Sequence, residues 1–139
     1  MDAQDTGRRL IWHGVLTFLL GLLVGMVVQQ FANPRMGLAA HVGAITTGTF
    51  LIAIGLVWRA IPPVGPAVAM FWLGLYGAYG AVVGLVLAAA FGTGNMTPIA
   101  GAGHAGSAWQ EGVVNFAFAT SSLAMLGFTG LFLHEMRRR

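Results

Sequence analysis

Residues 37–48 read GLAAHVGAITTG and open the second of four long apolar runs in the chain. Ala40, Ala44 and Gly48 recur at every fourth position, so one face of the predicted helix is nearly bare backbone. Another helix or a planar cofactor can approach such a face closely. His41 lies beside that face, about 100° around the helix from Ala40. Because an ionisable side chain at membrane depth is costly and usually marks a function, this stretch also holds the first candidate site.

The composition places the chain in the membrane class. Of its 139 residues, 57% are hydrophobic and 8% are charged, against roughly 25% charged in a soluble domain. The length predicts a single domain, residues 1–139. Cysteine is absent, which excludes disulfides, thiolate nucleophiles and sulfur-ligated metals. The basic side chains are all arginines near the ends of apolar runs, with no basic stripe between aromatic residues, so nucleic acid is not an expected partner.

The four apolar runs are each long enough to cross a bilayer, for which about 20 residues are needed. They cover residues 10–31, 36–58, 67–91 and 110–134, after a short polar tail at residues 1–7. Asn33-Pro34-Arg35 and the proline-rich turn at residues 62–66 break the helices, because proline cannot continue one. A cleaved signal peptide is the competing interpretation of the first run, but that run is too long and no small-residue cleavage pattern follows it. The sequence therefore predicts an all-α integral membrane protein, a four-helix transmembrane bundle that crosses the bacterial inner membrane several times.

The arginines predict the orientation of this bundle. If the amino terminus is cytoplasmic, the inner side holds Arg8, Arg9, Arg59, Arg137, Arg138 and Arg139. The outer side then holds only Arg35. This positive-inside bias predicts that both termini face the cytoplasm. The glycine-rich loop at residues 92–109, long enough to be a mobile linker or a functional loop, then shares the outer face with the turn at Asn33.

The sequence leaves two interpretations of His41 open. It is either a neutral imidazole bonded to a backbone carbonyl or a threonine hydroxyl, or it is a ligand. A metal cluster is not expected, since no second His, Asp or Glu lies three or four residues away, whereas one neutral imidazole is enough to hold haem iron. His13 and His134, near the cytoplasmic ends of the first and last spans, are interpreted as interfacial residues, and His104 lies in the glycine-rich loop.

Several other polar side chains favour packing roles. Tyr76 and Tyr79 in the third span are either interface anchors or groups that hydrogen-bond between helices, and their mid-span position weakens the anchor interpretation. Glu111 suits the first turn of the fourth helix, where a carboxylate complements the helix dipole. Its spacing from Ser107 is one residue too long for a capping box, so none is predicted. Asn115 and the polar residues 120–122 favour hydrogen bonds between helices.

Short segments along almost the whole chain resemble hydroxylaminobenzene mutase and, more distantly, styrene oxide isomerase. They are Trp12-His13-Gly14, NPRMGL at 33–38, Ala40-His41 with Gly48, LYGAY at 75–79, and MTPIAG at 96–101 through WQE at 109–111. The resemblance implies a homotrimeric membrane isomerase of a small aromatic substrate, with haem b whose ferric iron acts as a Lewis acid. It places the iron ligand at His41, with haem contacts at Ala44 and Gly48. It also implies that Thr47, Tyr76 and Tyr79 are the catalytic residues that handle the substrate.

The chain departs from the mutase pattern at three positions. Gly43 stands where the mutases carry an acidic residue, and Thr47 and Ala81 stand where they carry asparagine. These departures keep open an alternative function, a haem-binding membrane sensor or carrier without isomerase activity. A proton-coupled drug exporter is not favoured, because it needs a carboxylate inside the membrane and none lies deep in a predicted span. The trimer is expected to pack through small-residue faces of the first three spans, at Gly21 and Gly25, Ala44 and Gly48, and Gly77, Gly80 and Gly84.

Overall fold

The computed structural model describes residues 2–138; Met1 and Arg139, one of the arginines behind the orientation prediction, lie outside them. The helices are α1 (Ala3–Met26), α2 (Pro34–Ala60), α3 (Ala67–Phe91), α4 (Pro98–Gly101) and α5 (Ala108–Arg137), with a 3₁₀ turn at Val28–Gln30. No strand occurs within residues 2–138. Four of the helices, α1, α2, α3 and α5, are long and apolar enough to cross a membrane. The prediction of an all-α protein with four spans is confirmed.

Glycines on α1 bring this helix into backbone contact with α2. Gly7 packs against Gly55, and Gly14 packs against Gly48. A Cβ atom added at Gly14 would lie 2.7 Å from the carbonyl oxygen of Gly48, which is closer than any side chain tolerates. Further along, Gly21 packs against Ala44. The bare face that the sequence predicts on α2 is therefore covered by α1 of the same chain.

A second helix pair is formed by α3 and α5, and two aromatic rings of α5 form a stack with Trp58 of α2. The side chains of Trp58, Phe132 and Phe128 stack in series, with ring centroids 5.9 and 5.8 Å apart. Small residues on α3 receive larger groups from α5: Gly74 lies under the Phe128 ring, and Gly77 lies against the backbone of Met125. Contacts between α2 and α3 join the two pairs.

The small-residue faces expected to hold a trimer together are used inside one chain. The faces at Gly21, Gly25, Ala44 and Gly48 meet in the contact between α1 and α2, while Gly77, Gly80 and Gly84 pack against α5. That part of the assembly prediction is wrong, because an intrachain partner is always present and takes the closest-packing surface first. The homotrimer itself stays a prediction.

The first helix begins and ends earlier than the predicted span. The prediction placed residues 1–7 in a polar tail, but α1 begins at Ala3, where the Asp2 side chain accepts a hydrogen bond from the Gln4 amide. The side chain of Arg59 donates to Gln4 Oε1 at 2.8 Å and ties this first turn to the end of α2. The helix ends at Met26 rather than at residue 31. As a consequence, His13 lies near the middle of α1 and not at its amino-terminal end.

Two glutamates on α5 hold the connecting loops. Glu135 accepts hydrogen bonds from the amides of Val64 and Gly65 in the proline-rich turn, at 2.9 and 2.8 Å. Glu111 accepts from three amides of the glycine-rich loop, those of Gly94, Asn95 and Gly106, at 3.0–3.1 Å. Glu111 is therefore a loop anchor, a stronger role than the dipole complement that the sequence predicts.

The start of α5 also corrects the prediction about its cap. Gln110, not Glu111, occupies the third helical position, and its Oε1 accepts the backbone amide of Ser107 at 2.8 Å. A capping box is therefore present. On the opposite side of the loop, the buried Asn33 side chain donates to the carbonyl of Gly101 at 2.9 Å and accepts from the Met36 amide at 3.1 Å. The loop is fastened at both ends.

Candidate functional site

His41 is held against α1 by one hydrogen bond and one glycine. Its Nδ1 lies 2.8 Å from the carbonyl oxygen of Gly21. Because a carbonyl only accepts, Nδ1 carries the proton and donates it. The ring lies over Gly25, where an added Cβ would be 2.5 Å from Nδ1, so only glycine leaves room for it. The neutral ring then keeps its lone pair on Nε2, which has no hydrogen-bond partner among residues 2–138.

This geometry fits haem ligation and also satisfies the simpler interpretation, a packed neutral imidazole bonded to a backbone carbonyl. An imidazole that donates one ring N–H to a carbonyl and presents the other nitrogen is the usual arrangement of a metal-ligating histidine. No group of three or more His, Cys, Asp or Glu side chains within residues 2–138 could hold a bare metal ion. A porphyrin brings four nitrogen ligands of its own, so one histidine suffices.

The haem contacts predicted at Ala44 and Gly48 do not lie on a free surface. Ala44 is fully buried beside Gly21, and Gly48 is buried against Gly14 and the backbone of Phe18. The sequence allowed either another helix or a planar cofactor on this bare face. The structure shows another helix, α1. A cofactor contact at these two residues stays a prediction.

His13 forms a polar pair with Tyr79. Its Nδ1 lies 2.8 Å from the Tyr79 hydroxyl, which joins the middle of α1 to the middle of α3. The rings of Trp12 and Phe71 meet the imidazole edge-on, with centroids 5.0 and 6.5 Å away. The sequence does not predict this link to α3, and the interfacial interpretation of His13 stays a prediction.

Tyr76 forms a second polar pair, this time with α5. Its hydroxyl donates to Thr120 Oγ1 at 2.7 Å, and Thr120 in turn donates to the carbonyl of Phe116 at 2.8 Å. The sequence leaves two roles open for the tyrosines. The hydrogen bonds of Tyr76 and Tyr79 both match the second role, a link between helices. Thr120 likewise makes the interhelical hydrogen bond expected of residues 120–122. Asn115 does not, because its buried Oδ1 has no partner within the described part of the chain.

These two pairs border a groove between α1 and α3. It has a volume of about 470 Å³, and its walls are carbon-rich. The lining residues are His13, Trp72, Leu75, Tyr76, Tyr79, Gly80 and Val83. At Val83 the groove meets a second one of about 650 Å³, which is lined by aliphatic side chains of the same two helices. A small aromatic molecule fits the volume and the apolar character of the first groove.

Thr47, the third predicted catalytic residue, lies on α2 and forms no hydrogen bond with Tyr76 or Tyr79 among residues 2–138. It is four residues from Gly43, on the side of the helix where Gly43 packs against Leu85 of α3. Around the helix it is about 120° from His41. Of the remaining histidines, His104 and His134 are both exposed.

Sequence reasoning missed His13 as a site residue. The available signal was the spacing of Gly7, Gly14 and Gly21, a seven-residue repeat that extends helical packing well before residue 10. Recognising it would have placed His13 at mid-helix, where an ionisable side chain needs a partner.

Comparison with known proteins agrees with the resemblance seen in the motifs. The family described as styrene oxide isomerase matches residues 6–137. The chain belongs to the styrene oxide isomerase family. Hydroxylaminobenzene mutase HabB of Ectopseudomonas oleovorans is 42% identical over 132 residues, which cover 94% of this chain and 80% of the relative. Hydroxylaminobenzene mutase HabA of the same organism is 42% identical over 105 residues, 74% of this chain and 78% of the relative. No solved structure matches this family member significantly.

Proposed function

We propose that this protein is a membrane-embedded isomerase of a small aromatic substrate. The favoured reaction is the conversion of a hydroxylaminobenzene to an aminophenol. The second reaction that we consider is the rearrangement of an aryl epoxide. The names of the two mutase relatives support the first reaction, and the family description supports the second reaction. The structural observation that carries the proposal is the groove at Tyr76 and Tyr79, an apolar space with hydroxyl groups at mid-helix depth.

The chain's own residues bind the substrate, orient it and exclude water. In the mutase reaction the N–O bond breaks, a C–O bond forms on the ring, the ring carbon loses its hydrogen as a proton and the nitrogen gains a proton, so product and substrate have the same composition and no oxidant or reductant is consumed. The electron-poor ring formed on the way reacts readily with water, and apolar walls at Leu75 and Val83 keep water away. Trp72 and Tyr76 offer aromatic faces to the ring. A small arene also partitions into the bilayer, which explains a membrane location.

We further propose that haem b binds through Nε2 of His41. When bound, the haem iron supplies a Lewis acid. The carbonyl of Gly21 fixes the tautomer and the ring orientation of His41, and Gly25 leaves space for the ring. The homotrimer, cytoplasmic termini and a bacterial inner-membrane location complete the proposal.

The departures at Gly43, Thr47 and Ala81 favour the second candidate, a haem sensor or carrier. Gly43 and Ala81 have no polar side chain, and Thr47 has a hydroxyl in place of an amide. A sensor would retain the iron ligand and dispense with the groups that handle a substrate.

The test combines an absorption spectrum with a turnover assay on the detergent-purified protein. We expect a Soret band in the wild type and its loss in His41→Ala, because alanine suits a helix but has no ligand atom. His134→Ala, a matched change at an exposed histidine, should keep the band. Aminophenol formed from hydroxylaminobenzene is measured by chromatography. A Soret band without rearrangement of any hydroxylaminoarene or aryl epoxide would favour the sensor, and no band in the wild type would refute haem binding.

A further inference from the structure

Both tyrosine hydroxyls of the groove are already bonded to other parts of the protein. Tyr76 is bonded to Thr120 on α5 at 2.7 Å, and Tyr79 is bonded to His13 on α1 at 2.8 Å. The direction in which each proton points decides what the groove offers to a ligand.

The direction at Tyr76 follows from a chain of bonds. Thr120 has a single hydroxyl proton. Its Oγ1 lies 2.8 Å from the carbonyl oxygen of Phe116, which can only accept, so this proton is donated to that carbonyl. The oxygen of Thr120 is therefore left to accept, and the proton of Tyr76 is donated to it.

The direction at Tyr79 follows from the chemistry of the two groups. A phenol is a stronger hydrogen-bond donor than the N–H of a neutral imidazole, and the bare imidazole nitrogen is a stronger acceptor than a phenol oxygen. The favoured arrangement is therefore donation from Tyr79 to Nδ1 of His13. Both phenol protons are thus taken up by protein partners, and both phenol oxygens can only accept from a ligand.

We infer that His13 and Thr120 are positioning residues that determine specificity, by turning Tyr79 and Tyr76 into hydrogen-bond acceptors. A ligand that brings its own N–H or O–H gains from these oxygens. An aryl epoxide or ketone, which only accepts, gains nothing from them and must use the indole N–H of Trp72 or the second ring nitrogen of His13. The inference rests on the proposed function for the identity of the substrate, and it selects hydroxylaminoarenes over aryl epoxides.

The inference is tested with two unreactive ligands of nearly equal shape, 1-phenylethanol and acetophenone, of which only the first has a donor. Binding is followed by quenching of Trp72, which lines the groove and is 61% exposed, and Trp72→Phe identifies the part of the signal that comes from this site. We expect the wild type to bind 1-phenylethanol about two- to tenfold more tightly, the range for one net hydrogen bond.

Thr120→Val is the decisive variant, because it keeps the shape of a residue outside the groove lining and frees the proton of Tyr76. The preference for 1-phenylethanol should fall by about two- to tenfold. In a protein that already carries Tyr76→Phe, Thr120→Val should no longer change the preference. Thr46→Val is the matched control: Thr46 makes the same bond to its own helix, to the Val42 carbonyl at 2.8 Å, and should leave the preference unaltered. His13→Phe should lower the preference through Tyr79 in the same direction.

Two outcomes overturn the inference: equal or tighter binding of acetophenone in the wild type, or an unchanged preference in both Thr120→Val and His13→Phe. Turnover separates this result from the proposed function. Rearrangement of hydroxylaminobenzene with an unchanged preference would reject the role of His13 and Thr120 alone. The expected change in preference without any rearrangement would reject the isomerase and leave the positioning role standing.

Discussion

Replacing Gly48 by alanine should destabilise the protein by forcing α1 and α2 apart. A Cβ atom at Gly48 would lie 2.6 Å from the carbonyl oxygen of Gly14 and 2.6 Å from the amide nitrogen of Phe18. These contacts are about 0.8 Å shorter than ordinary van der Waals distances. Both neighbours are backbone atoms, so no side chain can rotate away and the helices themselves must move. Overpacking of this kind costs about 1–3 kcal/mol.

The matched control is Gly127→Ala on α5, where an added Cβ would meet nothing within 4 Å. Alanine is favoured over glycine in a helix by about 1 kcal/mol, and this gain is common to both variants. The difference between them therefore isolates the cost of overpacking, about 1–3 kcal/mol. The free energy of unfolding is measured by titrating SDS into mixed micelles and following circular dichroism.

A double variant sharpens the test. Gly14→Ala clashes with the carbonyl of Gly48 at 2.7 Å, so one separation of the helices relieves both clashes. Gly14→Ala with Gly48→Ala should then cost less than the sum of the single changes. Equal unfolding free energies for Gly48→Ala and Gly127→Ala would refute the backbone contact between α1 and α2.

Four further predictions concern the site, the loop, the topology and the assembly. Thr47→Asn should raise the turnover of hydroxylaminobenzene, because an amide offers both a donor and an acceptor; unchanged or lower turnover in a variant that keeps its haem would count against a role for position 47. Glu111→Gln should speed limited proteolysis within residues 92–107 without changing the helical content. The reason is that the glutamine amide replaces one of the two accepting oxygens with a donor, which then faces a backbone N–H. Cleavage of this variant at the wild-type rate would show that Glu111 does not hold the loop. A reporter fused after the carboxyl terminus should register as cytoplasmic, and a periplasmic signal would reverse the proposed orientation. For the homotrimer, native mass spectrometry in mild detergent should give three copies, and a monomer alone would contradict it.

The candidate site was partly predictable. His41 stands out in the sequence because an ionisable side chain at membrane depth is costly, and its hydrogen bond to the Gly21 carbonyl fits both interpretations that the sequence left open. Tyr76 and Tyr79 were also found from their mid-span positions. The partners of the two tyrosines were not all found: His13 is 66 residues from Tyr79, and nothing local to either residue indicates the other. Haem, the trimer and the catalytic roles stay predictions.

The sequence by itself determined the four spans and the places where the chain turns. Each span depends on hydrophobicity over about 20 neighbouring residues, and the turns at Pro34 and Pro62–Pro66 depend on proline's missing N–H. Both are local properties. In lipid a helix also satisfies its own backbone hydrogen bonds, so its existence does not depend on its neighbours.

Only the tertiary structure decided which glycine faces meet and what the ends of α5 hold. Small-residue faces occur on three helices and look alike in sequence, so composition could not tell an intrachain contact at Gly14 and Gly48 from a contact between copies. Glu111 and Glu135 each bind amides of a loop that only the folded chain brings near. Those contacts depend on distances across the bundle, which no pattern of neighbouring residues contains.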